Sequence, residues 1–389
     1  MNWSAQDQVF MARAIKLAKK GQYTARPNPM VGCVLVKNNE IIGEGWHEVF
    51  GQNHAEINAL IQAGSQTDSR VSNKAKGATC YVTVEPCCHQ GKTPPCAQAL
   101  IDAGIVKVIS AMRDPNPKVD GGGFTLLNKA GIKTYSGLLE KESRELNRGF
   151  ISRFKLGKPW VTLKLAMSLD GKTALADGTS KWITGSSARK DVQKLRAKQD
   201  AILTGIGTFL ADDPSLNVRP ENAEWWNQLS DDQTDFIQPR KILLDRKGRA
   251  KLNSKFFNEM GICSESNVKG IKEIWWVKEK QLVKVINAKI ESDQSAIEIN
   301  DLSAIIEYAA KNKINNLLVE AGHQLAGAFI SENLVDEIVV YIAPKLMGKN
   351  AMSLVNLNVN KMDECPVFKL KGVKQFGEDV RLSYLVESR

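Results

Sequence analysis

The stretch "VTVEPCCHQGKTPPC", Val82–Cys96, carries three of the chain's seven cysteines and one of its four histidines. Its reading decides the fold of the first half. A β-branched run around Val82 enters a loop rich in Pro and Gly. Beyond the loop, "TPPCAQALIDAG" reads as a helix with Thr93 as N-cap and Pro94 at the first helical position. "IVKVISAM" reads as the next strand. Two strands joined through a helix imply a right-handed crossover and a sheet covered by helices. Upstream, residues 7–20 read as a helix ending at Gly21, and "MVGCVLVKNNEIIGEGWH" as a hairpin turning at Asn38-Asn39. "AEINALIQAG" reads as a helix with Ile57, Leu60 and Ile61 on one face and Gly64 past its end.

With 389 residues and 43% hydrophobic content, the chain has room for two domains with ordinary cores. No window approaches 18 uninterrupted apolar residues, so no membrane span is expected. The first residues are spaced as on an amphipathic helix rather than as a signal peptide. Seven cysteines, four of them between Cys80 and Cys96, fit free thiols in a reducing cytosol better than a disulfide framework. Residues 1–150 hold 18 basic and 13 acidic side chains and the remainder 35 and 30, so each part carries +5 of the net +10. No basic arm stands out for a polyanion, while a mild positive bias suits a small phosphorylated substrate.

His54-Ala55-Glu56 opens one helix, and Cys87 and Cys96 flank the loop. One imidazole and two thiolates suit zinc and leave a fourth position for water, as catalytic zinc sites require. Counted from Thr93, Cys96 falls at the third helical position, where the positive helix end favours a thiolate. Helical residues two apart point about 200° away from one another. His54 and Glu56 therefore approach one ion only with His54 near the N-cap, and Glu56 then reaches the water as a general acid and base. Two plainer readings stay open: a structural zinc with Cys88 or His89 as fourth ligand, or core thiols. Cys33 and Cys80 lie in strand patterns and read as core.

His-x-Glu followed by Pro-Cys…Cys is the signature of the cytidine-deaminase-like zinc deaminases. The general form has two residues between the cysteines; this chain has eight. The loop "PCCHQGKTPPC", with "RPNPMVGCVLV", "GEGWHEVFGQNHAE" and "DPNPKVDGGG", resembles the pyrimidine deaminase of riboflavin biosynthesis. The resemblance implies His54, Cys87 and Cys96 as zinc ligands, one ion per chain, and Glu56 as proton shuttle. It implies Asn28, His47, His89 and Lys92 as substrate contacts. Asn28 can read a ring edge as donor and acceptor, and Lys92 can meet a phosphate.

A second α/β pattern begins at Trp160. "LTGIGTFLADDPSLNVR" and "LLVEAGHQLAGAF" place glycines where a strand meets a helix, which suits a phosphate or is ordinary helix entry. "KLAMSLDGK", "SKWITG", "LADDPSLNVR" and "VEAG" resemble the reductase partner of the same riboflavin family, with the fold of dihydrofolate reductase. The resemblance implies NADPH contacts at Ala166, Trp182, Thr208, Asp212 and the run Gly322, His323, Gln324, Leu325, Ala326, Gly327, Ala328. It implies substrate contacts at Ser180, Arg196, Leu216, Arg219 and Glu320. Paired arginines suit a phosphate, and Glu320 is the candidate acid or base. Residues 221–238 hold acidic side chains and no Lys or Arg, and read as a surface insertion.

The expectation is an α/β protein. A cytidine-deaminase-like α/β/α domain spans 1–148, a linker 149–159, and a dihydrofolate-reductase-like α/β domain 160–389. The implied function is zinc-dependent deamination of a ribosylaminopyrimidine 5′-phosphate, then NADPH reduction of its ribosyl chain. The implied partners are small phosphorylated pyrimidines, with no nucleic acid and no membrane, in a cytoplasmic homodimer joined through the reductase domains. The rivals are a tRNA base-editing deaminase with an RNA-binding module, a non-catalytic zinc-stabilised scaffold, and a chain with one decayed half.

Overall fold

The computed structural model describes residues 2–64, 74–90, 94–219, 236–258, 268–269, 273–286, 288–291 and 297–386. The chain divides into two compact units, Met1–Gly157 and Lys158–Arg389.

The first unit runs α1 (Ala5–Ala18), β1 (Gly32–Lys37), β2 (Glu40–Trp46), α2 (Ala55–Gln62), β3 (Thr79–Val84), α3 (Cys96–Asp102), β4 (Lys107–Met112), α4 (Gly122–Lys129), β5 (Lys133–Ser136), α5 (Glu140–Leu146) and α6 (Arg148–Leu156). Ser4 and Asp7 close a capping box on α1, each accepting the other's backbone N–H at 3.0 Å. Asn38 and Asn39, at φ 52° and 65°, supply the left-handed pair that a tight hairpin requires between β1 and β2. The sheet order is β2-β1-β3-β4-β5, antiparallel across β2-β1-β3 and parallel across β3-β4-β5. Alternation along β1 sends Cys33 and Leu35 to a core shared with α2, α3 and α4, and Val34 and Val36 to a core shared with α1. This is the expected three-layer sandwich.

Three details differ from the sequence reading. Helix α2 buries Ala55, Glu56, Ala59 and Leu60, while Ile61 is 40% exposed. The reason lies in β2: a Cβ at Gly45 would stand 2.4 Å from the Ala55 carbonyl oxygen, and one at Gly43 2.3 Å from that of Ala59. The helix rests so close on these glycines that alanines, Ala55 and Ala59, occupy the positions facing them. Helix α3 begins at Cys96 with Pro95 as its extended N-cap, because a residue before proline is pushed out of the helical region, and Pro94 precedes Pro95. Thr93 lies outside the described residues. The expected linker is mostly helix: α6 ends at left-handed Gly157, and Asn147 ties the α5–α6 junction to Met30 through both backbone groups.

The second unit contains β6 (Trp160–Ser168), β7 (Lys172–Ala174), α7 (Ser186–Ala197), β8 (Ala201–Gly205), α8 (Ile206–Asp212), β9 (Phe236–Ile237) and β10 (Arg240–Asp245). They are followed by the strands Ile274–Lys278, Gln281–Ile286, Asn316–Glu320 and Glu337–Ala343, the helices Leu302–Lys311 and His323–Ser331, and the hairpin Phe368–Phe376/Asp379–Val386. An eleven-stranded sheet has a parallel centre in the order Ile274–Lys278, β10, β8, Asn316–Glu320, β6, Glu337–Ala343, with the hairpin at one edge. Its strands are near-continuous apolar runs because helices cover both faces. Strand β8 leads through α8 to β10 on one side. Its neighbour Asn316–Glu320 leads through His323–Ser331 to Glu337–Ala343 on the other. Such a reversal opens a crevice at the carboxyl ends of the two strands, where α/β proteins bind ligands. Most of the acidic insertion lies outside the described residues; its end, β9, is not surface, since Phe236 is fully buried. No helix among the described residues is long and apolar enough to cross a membrane.

Candidate active sites

In the first unit, His54 is the extended N-cap of α2, Glu56 lies in that helix's first turn, and Cys96 is the first residue of α3. His54 Nδ1 stands 3.2 Å from Cys96 Sγ and 3.6 Å from Cys87 Sγ. The Cys96 backbone N–H donates to Cys87 Sγ at 3.3 Å. The three ligand atoms lie within 4.8 Å of one another, and no other metal-capable group occurs among the described residues. Cys88 is turned away, its Sγ donating to the Lys118 carbonyl at 3.7 Å, and His89 is exposed. The donor set therefore fits zinc with three protein ligands.

Without the metal the two thiols are unequal: the hydrogen bond to Cys87, then burial, push the Cys96 thiol well up, against the thiolate expected there from the helix end. A hydrogen bond from Cys96, then those from His54 and the Cys96 amide, hold the Cys87 thiol down at about 4 against burial. Burial pushes the Glu56 carboxyl up to about 7, with the Cys87 charge adding to the effect and His54 opposing it. Glu56 also reaches the Cys96 thiol. His47 is buried beside His54, ring centroids 5.2 Å apart, and burial lowers it to about 4. It is a neutral ring near pH 7. Its Nδ1 lies 3.0 Å from the Asn53 carbonyl oxygen and so donates. Nε2 then accepts from Asn28 Nδ2 at 3.1 Å, which fixes the orientation of the Asn28 amide. Four of the expected residues, His54, Glu56, Cys87 and Cys96, thus meet at one point, with Asn28 and His47 beside them. Lys92 lies outside the described residues.

Sequence reading passed over Glu85 and Asp114. Both are buried near this site, and burial pushes the Asp114 carboxyl up to about 7. A carboxylate among apolar residues, as Glu85 is in "YVTVEP", was the available signal.

In the second unit, Arg196 on α7 grips Glu320 with a fork, Nε to Oε1 at 2.6 Å and Nη2 to Oε2 at 3.0 Å. Lys164 on β6 lies 3.8 Å from Glu320 Oε2. Thr204 donates to the Glu320 carbonyl at 2.7 Å. Burial would raise Glu320, but Arg196 and then Lys164 prevail and hold it below the usual range. Burial lowers Lys164. Lys164 was missed, although a lysine inside "VTLKLAM" stands out on a strand that is otherwise apolar.

Nearby, Ser180 Oγ lies 3.4 Å from both Asp212 carboxylate oxygens. Thr208 Oγ1 lies 3.8 Å from where a Gly322 Cβ would stand, so α8 meets the start of His323–Ser331. In the run 322–328, Ala326 and Gly327 are buried, and a Cβ on Gly327 would meet the Asn356 carbonyl oxygen at 1.9 Å. Ala166 lies on β6 and is partly buried, and Arg219 is exposed. Trp182 is 67% exposed, not core, with Arg189 stacked 4.2 Å from its ring centroid. Trp182 and Leu216 hold left-handed backbones, φ 65° and 51°. Such conformations cost of order 1–3 kcal/mol and cluster at functional sites. The Leu216 side chain is buried in a core cluster with Phe209 and Phe256.

Two family models match the chain. "Cytidine and deoxycytidylate deaminase zinc-binding region" covers residues 4–112, and "RibD C-terminal domain" covers residues 159–382. Riboflavin biosynthesis protein RibD of Haemophilus influenzae is 46% identical, over 99% of this chain and 98% of its own. The solved structure of Acinetobacter baumannii RibD, form 1, is 40% identical over 98% of this chain and 99% of its own, with a TM-score of 0.83. A Thermotoga maritima diaminohydroxyphosphoribosylaminopyrimidine deaminase/5-amino-6-(5-phosphoribosylamino)uracil reductase is 31% identical, with a TM-score of 0.77 and coverage of 98% and 99%. With a family model matched in each unit and relatives 46% and 40% identical over nearly the whole chain, the chain belongs to the RibD family of bifunctional riboflavin-biosynthesis deaminase–reductases.

Proposed function

We propose that the first unit deaminates 2,5-diamino-6-(ribosylamino)-4(3H)-pyrimidinone 5′-phosphate and that the second reduces the ribosyl chain of the product to ribityl. The observation that carries this reading is the convergence of His54, Cys87 and Cys96 on one point with the buried carboxyl of Glu56 beside it.

His54, Cys87 and Cys96 would hold the zinc, which when bound supplies a Lewis acid that makes water acidic enough to react near neutral pH. Glu56, a buried carboxyl beside the three ligands, is placed to take a proton from the water and return it. Water loses the proton to Glu56, and the departing amine receives it. Asn28, held by neutral His47, reads the pyrimidine edge. His89 and Lys92 serve the rest of the substrate, with Lys92 on the phosphate.

In the second unit, NADPH supplies the hydride when bound. The cofactor is assigned to Ala166, Trp182, Thr208, Asp212 and the run 322–328, around the crevice where α8 meets the start of His323–Ser331. Arg196 and Arg219 take the substrate phosphate, with Ser180, the Leu216 backbone and Glu320 around the sugar. Glu320, held below the usual carboxylate range against burial by Arg196 and Lys164, orients those cations beside the sugar rather than giving up a proton, and positioning provides much of the acceleration.

We further read the protein as a cytoplasmic homodimer joined through the second unit. The sheet-edge strand Phe368–Phe376, with Leu370 and Val373 exposed, supports that reading. The even spread of charge supports a small phosphorylated substrate rather than nucleic acid. Separate assays of ammonia release and NADPH oxidation on the purified chain test the function. Loss of either activity in folded, zinc-replete protein would refute the corresponding half.

A further inference from the structure

We infer that Glu85 and the glycine turn Gly121–Gly123 position the metal ligand Cys87, so that "DPNPKVDGGG" supports the metal site; the inference rests on the zinc reading above. Glu85 is 3% exposed, and both its carboxylate oxygens accept backbone N–H groups at the start of α4: Oε2 from Gly121 at 3.1 Å and Oε1 from Phe124 at 3.2 Å. Its own N–H donates to Met112 at 3.0 Å, extending the sheet to the edge of the ligand loop. At Gly123 the turn then approaches the backbone closer than any side chain allows. A Cβ on Gly123 would stand 2.0 Å from the Pro86 carbonyl oxygen, and one on Gly122 2.7 Å from Cys88 Sγ. Gly121 holds φ 81°, where a side chain is strained.

On its other side, Cys87 is held by α3. Its carbonyl accepts from the Ala97 N–H at 3.1 Å, and its sulfur from the Cys96 N–H at 3.3 Å. Cys87 therefore sits in a clamp, with α3 on the ligand itself and the α4 turn on the two residues before it and the one after. The clamp also gives Cys88 its direction, since packing against Gly122 turns that thiol from the metal toward Lys118. Outer contacts of this kind commonly set metal affinity by about 10- to 100-fold when removed.

The test uses the full chain, with zinc affinity measured by competition against a chromophoric chelator and ligand geometry by the absorption bands of the cobalt-substituted protein. Glu85→Gln should bind zinc about 10- to 100-fold more weakly and shift the cobalt–thiolate bands, with NADPH binding unchanged. Gly122→Ala should weaken zinc in the same way. Adding Cys88→Ala should restore it, because the new methyl then meets only the Cys88 Cβ position at 3.8 Å. This pair decides the matter if Glu85→Gln does not fold. Wild-type affinity and bands in folded Glu85→Gln, or no effect of Gly122→Ala, would overturn the clamp. A wild-type chain that binds no zinc would instead sink the underlying reading.

Discussion

The seating of α2 on β2 offers a sharp test, because that helix carries both His54 and Glu56. At Gly45 an added methyl would lie 2.4 Å from the Ala55 carbonyl oxygen, 2.5 Å from the Ala59 nitrogen and 2.8 Å from the Asn58 Cβ. Ordinary contact begins at 3.4 Å. The first two obstacles are backbone, so no rotamer change relieves them. In Gly45→Ala the helix must lift off the strand by about 1 Å, a displacement that can cost a reaction about 100-fold. The hydrogen bond from Asn58 Nδ2 to the Trp46 carbonyl, 2.9 Å long, would stretch with it. Overpacking of this kind costs about 1–3 kcal/mol of stability. Ammonia release should therefore fall about 100-fold, while NADPH oxidation with the deaminated substrate stays at the wild-type rate. Wild-type deamination together with an unchanged unfolding midpoint would refute the claim that close glycine contact sets the placement of Glu56.

Further outcomes follow from the same structure. Glu56→Gln should abolish ammonia release while keeping zinc, as metal analysis of the same sample would show. Arg219→Ala should cripple reduction and spare deamination; equal loss of both would argue against separate sites. Arg196→Met leaves the buried Glu320 without its forked partner and should cost about 3–5 kcal/mol, read as a lowered unfolding midpoint with reduction lost. In metal-stripped protein Glu56 sits at about 7 against its ordinary 4.5, because burial penalises its charge. The folded state then binds that proton more tightly than the unfolded one. This contribution is complete below about pH 4.5 and is lost as pH rises through about 7, in total about 3 kcal/mol. The difference in urea stability between wild type and Glu56→Gln should follow that window.

Much of this was legible in the chain itself. Strand periodicity, the Asn38-Asn39 turn and helix-entry glycines mark the main elements, because each is a local backbone demand. Spacing alone places His54 at a helix edge and leaves Cys87 and Cys96 on either side of a loop. What escaped depends on neighbours distant in sequence. Helix α2 turns Ala55 and Ala59 inward because of glycines on another strand, so of its large apolar side chains Leu60 is buried while Ile61 is left exposed. Polar and basic residues hid α6, whose tie to Met30 through Asn147 spans more than a hundred positions. Lys164 and Glu85 look like strand residues until Glu320 and the α4 turn are placed beside them. The start of α3 was readable, since Pro94-Pro95 already forbids helix there.

The central claim is a metal centre with three protein ligands. X-ray absorption at the zinc edge of the purified chain tests it most directly. The account requires one zinc per chain bound by two sulfurs and a single imidazole, with the remaining scatterer a light atom from solvent. A third sulfur, a second imidazole or a folded chain without zinc would contradict it.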